Sequence, residues 1–258
     1  MKLIATASAI LVSLAIIAVV WFNQAAPVSP ASLAALNDVE RQAFRDQVRA
    51  YLMESPEVLL EAIAVLEQRQ QQNQSTNDSE LVASNAEALF DDGYSFVGGN
   101  PQGDVTMVEF LDYRCTFCRR SHPEVAELIL ADGNIRYIVK EFPVLGDQSV
   151  LASRFAISVL INAGPSTYAE MLDTLMTFRG SFTQAALKRL SDDMGLDTAV
   201  IMAGMDAEPV TTMIDQNRAL AQRMQINGTP GFIMGDQVIR GYMPLGDMQQ
   251  IVAQIRGS

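Results

Sequence analysis

Over residues 105–142 the pattern of apolar and polar positions changes from a strand period to a helix period and back. Two apolar runs, 105–111 and 135–142, are rich in β-branched and aromatic residues and predict buried strands. Between them, apolar residues recur at helical spacing from Cys115 until Asp132-Gly133 ends the helix. This order of elements predicts parallel strand pairing with a right-handed crossover.

The pattern after these strands is helical from residue 149 to residue 224, with breaks at glycine and proline positions. The segment 227–231, which contains Gly228-Thr229-Pro230, ends this helical block. Short strands are predicted at 232–234 and 238–240, joined by a turn at Gly235-Asp236, and a helix at 243–256 follows. The order is therefore that of an α/β domain with a helical insertion at about 147–225.

The segment 37–72 has a helical apolar stripe that includes Phe44, Val48, Tyr51 and Leu52. Ser55-Pro56-Glu57 predicts a second helix start, with Ser as the N-cap and Pro in the first turn. Residues 67–80 are rich in Gln and Asn, and they predict a linker or a solvated helix end. Such an arm must either fold back onto its own domain or pair with copies of itself.

The first 26 residues have the features of an export signal: Lys2, an apolar run at 3–22 and small residues before Pro27. The run is also long enough to span a bilayer as a retained anchor. Either alternative predicts a location outside the cytoplasm, in the periplasm. The predicted domains are a signal or anchor at 1–26, a helical oligomerisation arm and linker at 27–80, and the α/β domain at 81–258.

Charge and cysteine content narrow the class of function. The 258-residue chain has a net charge of −12, which argues against binding to a nucleic-acid backbone. It contains two cysteines, Cys115 and Cys118, and a loop this short contributes little to stability as a disulfide. The pair is therefore predicted to be chemical rather than structural.

Cys115 is predicted to lie at the start of the helix, where backbone N–H groups and the helix dipole favour a thiolate. Arg114, Arg119 and Arg120 are expected to add positive potential there. Cys118 follows one turn later, within bridging distance of Cys115. A thiolate that attacks a disulfide and a second thiol that resolves the product form the unit of thiol–disulfide exchange.

Other interpretations of the cysteine pair have less support. Zinc usually needs four ligands, whereas the chain offers two cysteines and His122. Haem attachment needs His after the second cysteine, where Arg119 stands. Cu(I) bound by Cys115 and Cys118 remains an alternative, because thiolates suit that soft ion. His122 is interpreted as a helix-surface or kink residue rather than a catalyst.

With the strand 105–111 before Cys115-Thr116-Phe117-Cys118, Gly228-Thr229-Pro230 before a later strand, and a helical block between them, residues 96–256 resemble the DsbA family. That resemblance implies a thioredoxin fold with an inserted helical domain. The segment 55–63, SPEVLLEAI, is similar to the oligomerising stalk of ScsC-type disulfide isomerases.

The resemblance also implies roles for three further residues. Pro230 would be a cis-proline, and Thr229 would offer its backbone to an extended client peptide; a trans turn proline is the alternative. Glu109 would be a buried acid that relays a proton for Cys118, and an exposed strand residue is the alternative. Thr116-Phe117 stand where well-known members carry His, so a strongly oxidising potential is not implied.

The resulting hypothesis is an exported protein disulfide oxidoreductase that acts as an isomerase if the arm makes it a homo-oligomer, for instance a trimer. Its cofactor would be only the redox-active Cys115–Cys118 disulfide. Its partners would be unfolded or misoxidised clients and a membrane protein that recycles the dithiol. A monomeric dithiol oxidase and a copper-binding or chaperone-like protein are the alternatives.

Overall fold

The structure is a computed structural model that describes residues 37–257. The predicted signal or anchor at 1–26 lies outside the described residues. The chain divides into two compact units between Gln68 and Arg69. Among the described helices, none is both long and apolar enough to cross a membrane.

The first unit is helical. Helix α1 (Asp38–Glu54) begins with a capping box, in which Asn37 accepts the Glu40 N–H at 3.0 Å and the Glu40 carboxylate accepts the Asn37 N–H at 2.9 Å. The chain breaks at Ser55-Pro56, because a residue before proline is driven away from helical geometry. Helix α2 (Glu57–Ser84) then begins and continues past the unit boundary.

The segment 37–68, called the arm below, exposes its apolar side chains. Even the residues of the predicted stripe, Phe44 and Tyr51, are about half exposed. The other large exposed apolar residues of the arm are Val39, Val48, Met53, Leu59, Leu60, Ile63, Val65 and Leu66. Both predicted alternatives, packing of the arm on its own α/β domain or on a second copy of the arm, require a partner surface that a single arm does not supply.

Of the two predicted alternatives for the polar segment 67–80, a linker or a solvated helix end, the linker is wrong, because the segment is helical throughout as part of α2. Its last residues are polar because they contact polar groups. Asp78 is buried and forms an ion pair with Arg240 at 2.8 Å, and the Ser79 hydroxyl donates to Asp236 at 3.0 Å. The unit boundary at Gln68/Arg69 thus falls before the predicted boundary at 80/81.

The second unit contains a five-stranded sheet of the order β1-β3-β2-β4-β5. Strands β2 and β3 are parallel, as predicted, and the other pairs are antiparallel. The strands are β1 (Phe96–Gly99), β2 (Val105–Leu111), β3 (Ile135–Glu141), β4 (Gly231–Met234) and β5 (Gln237–Arg240). The α/β fold with a helical insertion is therefore confirmed.

Among the described residues, eight helices lie wholly within this unit and α2 extends into it; five of the eight form the insertion between β3 and β4. The helices after α2 are α3 (Ala86–Phe90), α4 (Thr116–Asp132), α5 (Asp147–Ala163), α6 (Pro165–Thr177), α7 (Gln184–Asp193), α8 (Thr198–Gly204), α9 (Glu208–Arg223) and α10 (Leu245–Gly257). Helix α4 connects the parallel strands β2 and β3, and it carries the cysteine pair.

Strand β1 and helix α3 are absent from the sequence-based prediction. Strand β1 has four residues, pairs Phe96 with Val139, and ends at Gly98-Gly99. Gly99 has a positive φ of 63°, a conformation that favours glycine. An added Cβ there would also meet the Ile135 carbonyl oxygen at 2.4 Å. The glycine therefore serves both the strand and the turn that follows it.

The two faces of the sheet bury different groups. Met107, Glu109 and Leu111 are alternate residues of β2, so their side chains lie on the same face of the sheet, and this face packs against the larger core. Lys140 of β3 lies on the opposite face, fully buried, where it pairs with Asp92 at 2.5 Å and donates to the Ala88 carbonyl at 2.7 Å. Each face of the sheet therefore buries one ionisable side chain of β2 or β3, Glu109 on one face and Lys140 on the other.

Candidate active site

A tight turn after β2 positions Cys115 as the N-cap of α4. The buried Asp112 carboxylate fixes this turn by accepting the N–H groups of Arg114, Val144 and Leu145 at 2.8, 2.8 and 3.1 Å. The Cys115 N–H donates to the Asp112 carbonyl at 3.0 Å. The sulfur of Cys115 consequently lies where the first N–H groups of the helix are unpaired.

The two cysteines are free thiols and both are buried, with 6 % exposure at Cys115 and none at Cys118. As a thiol, Cys115 donates to the Thr229 carbonyl oxygen, with 3.1 Å between Sγ and O. Cys115 therefore retains some contact with solvent, whereas Cys118 is fully enclosed by protein.

The pKa of Cys115 is lowered from 9.0 to about 5. The main cause is a hydrogen bond from the Cys118 thiol to the ionised sulfur, which acts against desolvation by burial; the Thr229 side chain and the N–H groups of Cys118 and Phe117 lower the pKa further. The largest contributions to the lowering of this pKa are therefore these hydrogen bonds.

Burial raises the pKa of the Cys118 thiol well above its ordinary value, and the hydrogen bond to Cys115 and the charge of Glu109 raise it further. The pKa values of the two thiols are therefore shifted in opposite directions, as a nucleophile and a resolving thiol require. One sulfur is an anion at neutral pH, and the other keeps its proton until a base removes it.

Glu109 is buried, with 1 % exposure, so the exposed alternative is wrong. Desolvation raises the pKa of its carboxyl from 4.5 to about 7, although a hydrogen bond from the Tyr137 hydroxyl at 2.5 Å lowers it. A carboxyl with a pKa near neutrality can both take and give a proton at physiological pH.

A second buried acid, Glu141, was not predicted from the sequence. Its Oε1 accepts the hydroxyls of Tyr113 and Tyr168, each at 2.6 Å, and burial raises its pKa to about 7. Its other oxygen has no hydrogen-bond partner among the described residues. Glu141 lies within the predicted strand 135–142, and its partners Tyr168 and Tyr113 are 27 and 28 residues away in the sequence. No local sequence pattern therefore indicated this cluster.

The Thr229–Pro230 peptide bond is cis, as the resemblance implied. Strand β4 begins at the next residue and pairs with β2 in antiparallel register, with Gly231 opposite Phe110. This pairing brings Thr229 to the sulfur of Cys115 from a position 114 residues later in the chain. All five predicted site residues, Glu109, Cys115, Cys118, Thr229 and Pro230, therefore lie in one region.

Aromatic and basic side chains surround the cysteines. Phe117 is 55 % exposed, and its ring centroid lies 6.4 Å from that of Tyr242. Arg120 stacks over the Tyr242 ring at 4.3 Å. The contact recorded for the His122 side chain is with Asp173, whose carboxylate lies 3.1 Å from His122 Nε2, and not with either sulfur.

Within residues 37–257, no three or more His, Cys, Asp or Glu side chains are arranged to hold a metal ion. The pair Cys115 and Cys118 could offer two soft ligands, the lowest number that Cu(I) accepts. The high pKa of Cys118 means that such binding would have to displace its proton.

A dithiol at the start of a helix, a cis-proline loop against it and this sheet order define the class of thioredoxin-fold thiol–disulfide oxidoreductases. The chain belongs to the thioredoxin family, whose model matches residues 91–254. Residues 40–73 match the model of the copper resistance protein ScsC N-terminal domain, so this part of the chain is similar to ScsC.

Solved structures with this fold come from several bacteria. The chain is similar to a thioredoxin-like oxidoreductase from Silicibacter pomeroyi (37 % identity, 67 % of this chain and 98 % of that chain, TM-score 0.63). It is also similar to the thiol-disulfide exchange protein α-DsbA2 from Wolbachia pipientis (25 %, 71 % and 98 %, 0.67). BcfH from Salmonella enterica Typhimurium matches over more of the chain (27 %, 89 % and 100 %, 0.70).

Among curated relatives, the Na(+)/H(+) antiporter NhaA 3 of Salinispora tropica is 27 % identical over 138 residues, which are 54 % of this chain. The match covers 21 % of the antiporter, so the chain spans about a fifth of the length of that relative. The similarity therefore concerns one region of the antiporter.

Proposed function

We propose that the protein catalyses thiol–disulfide exchange on client proteins outside the cytoplasm, with Cys115 as nucleophile and Cys118 as resolving thiol. The observation that carries this proposal is the pair of opposed pKa shifts, with Cys115 at about 5 and Cys118 far above its ordinary value. The apolar run at 3–22 after Lys2 supports export.

In the first step, the Cys115 thiolate attacks one sulfur of a client disulfide. The client S–S bond breaks, a mixed disulfide forms, and the second client sulfur leaves as a thiolate. The exposed Phe117 ring offers an apolar contact to an unfolded client, and the Thr229 backbone offers an edge to an extended peptide.

In the second step, Glu109 removes the proton from Cys118. The Cys118 thiolate then attacks the Cys115 sulfur, forms the Cys115–Cys118 disulfide and releases the client cysteine as a thiolate, so two electrons pass to the client. If the freed client thiolate attacks another client disulfide first, the client is rearranged with no net electron transfer. The Tyr137 hydroxyl holds Glu109 in place for this proton transfer.

Isomerisation is the direction favoured by two features. Thr116-Phe117 place no cation between the cysteines, and the arm exposes apolar residues that a homo-oligomer would bury. Several dithiols in one oligomer could act on one client. A monomeric oxidase is the alternative, and it would recover scrambled ribonuclease no faster than a redox buffer does.

The test compares the Cys115→Ser and Cys118→Ser variants in refolding of scrambled ribonuclease. The first should abolish the activity, and the second should accumulate mixed disulfides with the client, visible by non-reducing electrophoresis and mass spectrometry. If Cys115→Ser retained the rate of the unaltered protein, the proposed chemistry would be wrong.

Copper handling is a second candidate, because residues 40–73 match a domain of a copper resistance protein. In this case Cu(I) would be cargo held by Cys115 and Cys118. Titration with Cu(I) against a competing chelator should then give one copper per chain, with the affinity lost in Cys118→Ser. Equal affinity in that variant would exclude a two-thiolate site.

A further inference from the structure

Four arginines line one open pocket beside Cys115. Arg114 and Arg119 come from either side of the cysteine pair, Arg120 follows, and Arg179 comes from the loop after α6. The pocket has a volume of about 430 Å³. The chain has 18 basic residues and a net charge of −12, and four of the 18 line this pocket. The pocket is therefore a positively charged patch on an acidic protein.

None of the four arginines forms an ion pair with a carboxylate among residues 37–257. Arg119 is held instead by backbone carbonyls, with Nε donating to Tyr113 at 2.6 Å and a terminal nitrogen donating to Phe178 at 2.7 Å. Its guanidinium lies 5.8 Å from the ring centre of Phe182, which lines the pocket. The cation is thus fixed in position by backbone carbonyls and not by an ion pair with a carboxylate.

The cluster is electrostatically unfavourable on its own. The pKa of Arg119 is lowered by burial first and then by the charges of Arg179 and Arg114. The charge of Asp112 raises the pKa of Arg119, but this carboxylate is buried and already accepts three backbone N–H groups. The largest causes of the lowered pKa of Cys115 are hydrogen bonds from Cys118 and Thr229 rather than the charges of these arginines.

We infer that this arginine pocket binds a carboxylate of the client chain close to the cysteine under attack, so that clients with Asp or Glu beside that cysteine react faster. This inference rests on the proposed function. Arg114 and Thr116 flank Cys115 directly and both line the pocket. A client residue one or two positions from the bonded sulfur therefore falls within reach, since each residue spans about 3.5 Å.

A carboxylate fits this pocket better than a nucleic acid. A guanidinium donates two parallel hydrogen bonds to a carboxylate, and Arg179 is exposed at the pocket. A phosphate backbone would require a wider basic surface, whereas the protein as a whole is acidic.

The test uses three disulfide-linked peptides that are identical except for the residue beside the cysteine, which is Asp, Asn or Lys. Rate constants for reaction with the reduced full-length protein are measured by stopped-flow fluorescence. We expect the order Asp, Asn, Lys, with Asp about fivefold faster than Asn at low salt. The preference should decrease as ionic strength rises.

The variant Arg179→Gln should reduce the Asp-to-Asn ratio to about twofold or less, while the Cys115 pKa stays near that of the unaltered protein. Arg189→Gln, an exposed arginine of α7 that does not line the pocket, is the matched control and should keep the full ratio. Equal rates for the three peptides would overturn the inference and leave the proposed function intact. No reaction with any peptide would instead overturn the proposed function.

Discussion

At the scale of single residues, the chemistry depends on which sulfur holds a proton. Cys115 and Cys118 differ because one accepts hydrogen bonds at a helix start and the other is enclosed by apolar residues beside Glu109. Sequence spacing was sufficient to predict this pair. It could not predict that Cys118 itself supplies the main hydrogen bond, because that requires the side-chain geometry.

The proton relay makes Glu109→Gln the first prediction at this scale. An amide cannot accept the Cys118 proton, so resolution of the mixed disulfide should slow by about 100-fold at pH 8, while its formation by Cys115 is less affected. In the unaltered protein the resolution rate should rise through pH 7, the region of the Glu109 pKa, and then level off.

Quenched-flow measurements of mixed-disulfide decay between pH 5 and 9 would detect this inflection. A glutamine variant that kept both the rate and the inflection would show that another group removes the Cys118 proton.

Glu141 predicts a pH dependence of stability. Its folded pKa is about 7 and its ordinary value is 4.5, so the folded state binds a proton that the unfolded state has already lost between these pH values. Its contribution to the free energy of unfolding is therefore largest below pH 4.5 and decreases as pH rises to 7, by at most about 3 kcal/mol.

Urea unfolding at pH 5 and pH 8 should show a smaller decrease in Glu141→Gln than in the unaltered protein. Glu127→Gln changes an exposed residue of α4 and serves as the control. An equal decrease in all three proteins would contradict the assignment.

At the scale of elements, a buried ion pair connects the loop after α3 to β3. Lys140 is fully buried and Asp92 is its only carboxylate partner among the described residues. Replacing Asp92 with Asn would leave the ammonium group unpaired in the interior, so the free energy of unfolding should fall by about 3–5 kcal/mol.

Asp91→Asn is the matched control, because Asp91 is exposed and pairs with Arg136 at 3.3 Å. Its loss should cost less than about 1 kcal/mol. If urea unfolding gave similar losses for the two variants, the buried pair would not have the role assigned to it.

The elements also show where sequence patterns are informative. Strand β2 was predicted with its observed bounds, because an apolar run between turn signals has one plausible structure. The polar segment 67–80 was expected to be a linker or a solvated helix end; it is helical, and its Asp78 and Ser79 contact Arg240 of β5 and Asp236 of the turn before β5. Long-range polar contacts such as these have no local signal in the sequence. The same is true of Arg179, which lines a pocket with Arg114 and Thr116.

At the scale of the whole molecule, the proposed isomerase activity requires that the arm brings chains together. The double variant Phe44→Asp/Ile63→Asp places two charges on its exposed apolar residues and should convert an oligomer to a monomer, as measured by light scattering after gel filtration. Recovery of scrambled ribonuclease should fall at least fivefold, while attack on a small peptide disulfide should be retained.

Leu130→Asp changes an equally apolar residue of α4 that is 86 % exposed, and it should leave the mass unchanged. A monomeric mass for the unaltered protein would contradict arm-mediated association and favour the oxidase alternative.

The ionisation of Cys115 tests the central claim most directly. Absorbance at 240 nm during a pH titration of the reduced protein should show one thiolate step with a midpoint near pH 5, and Cys115→Ser should lack this step. A midpoint near 9, the ordinary value for a thiol, would contradict the account.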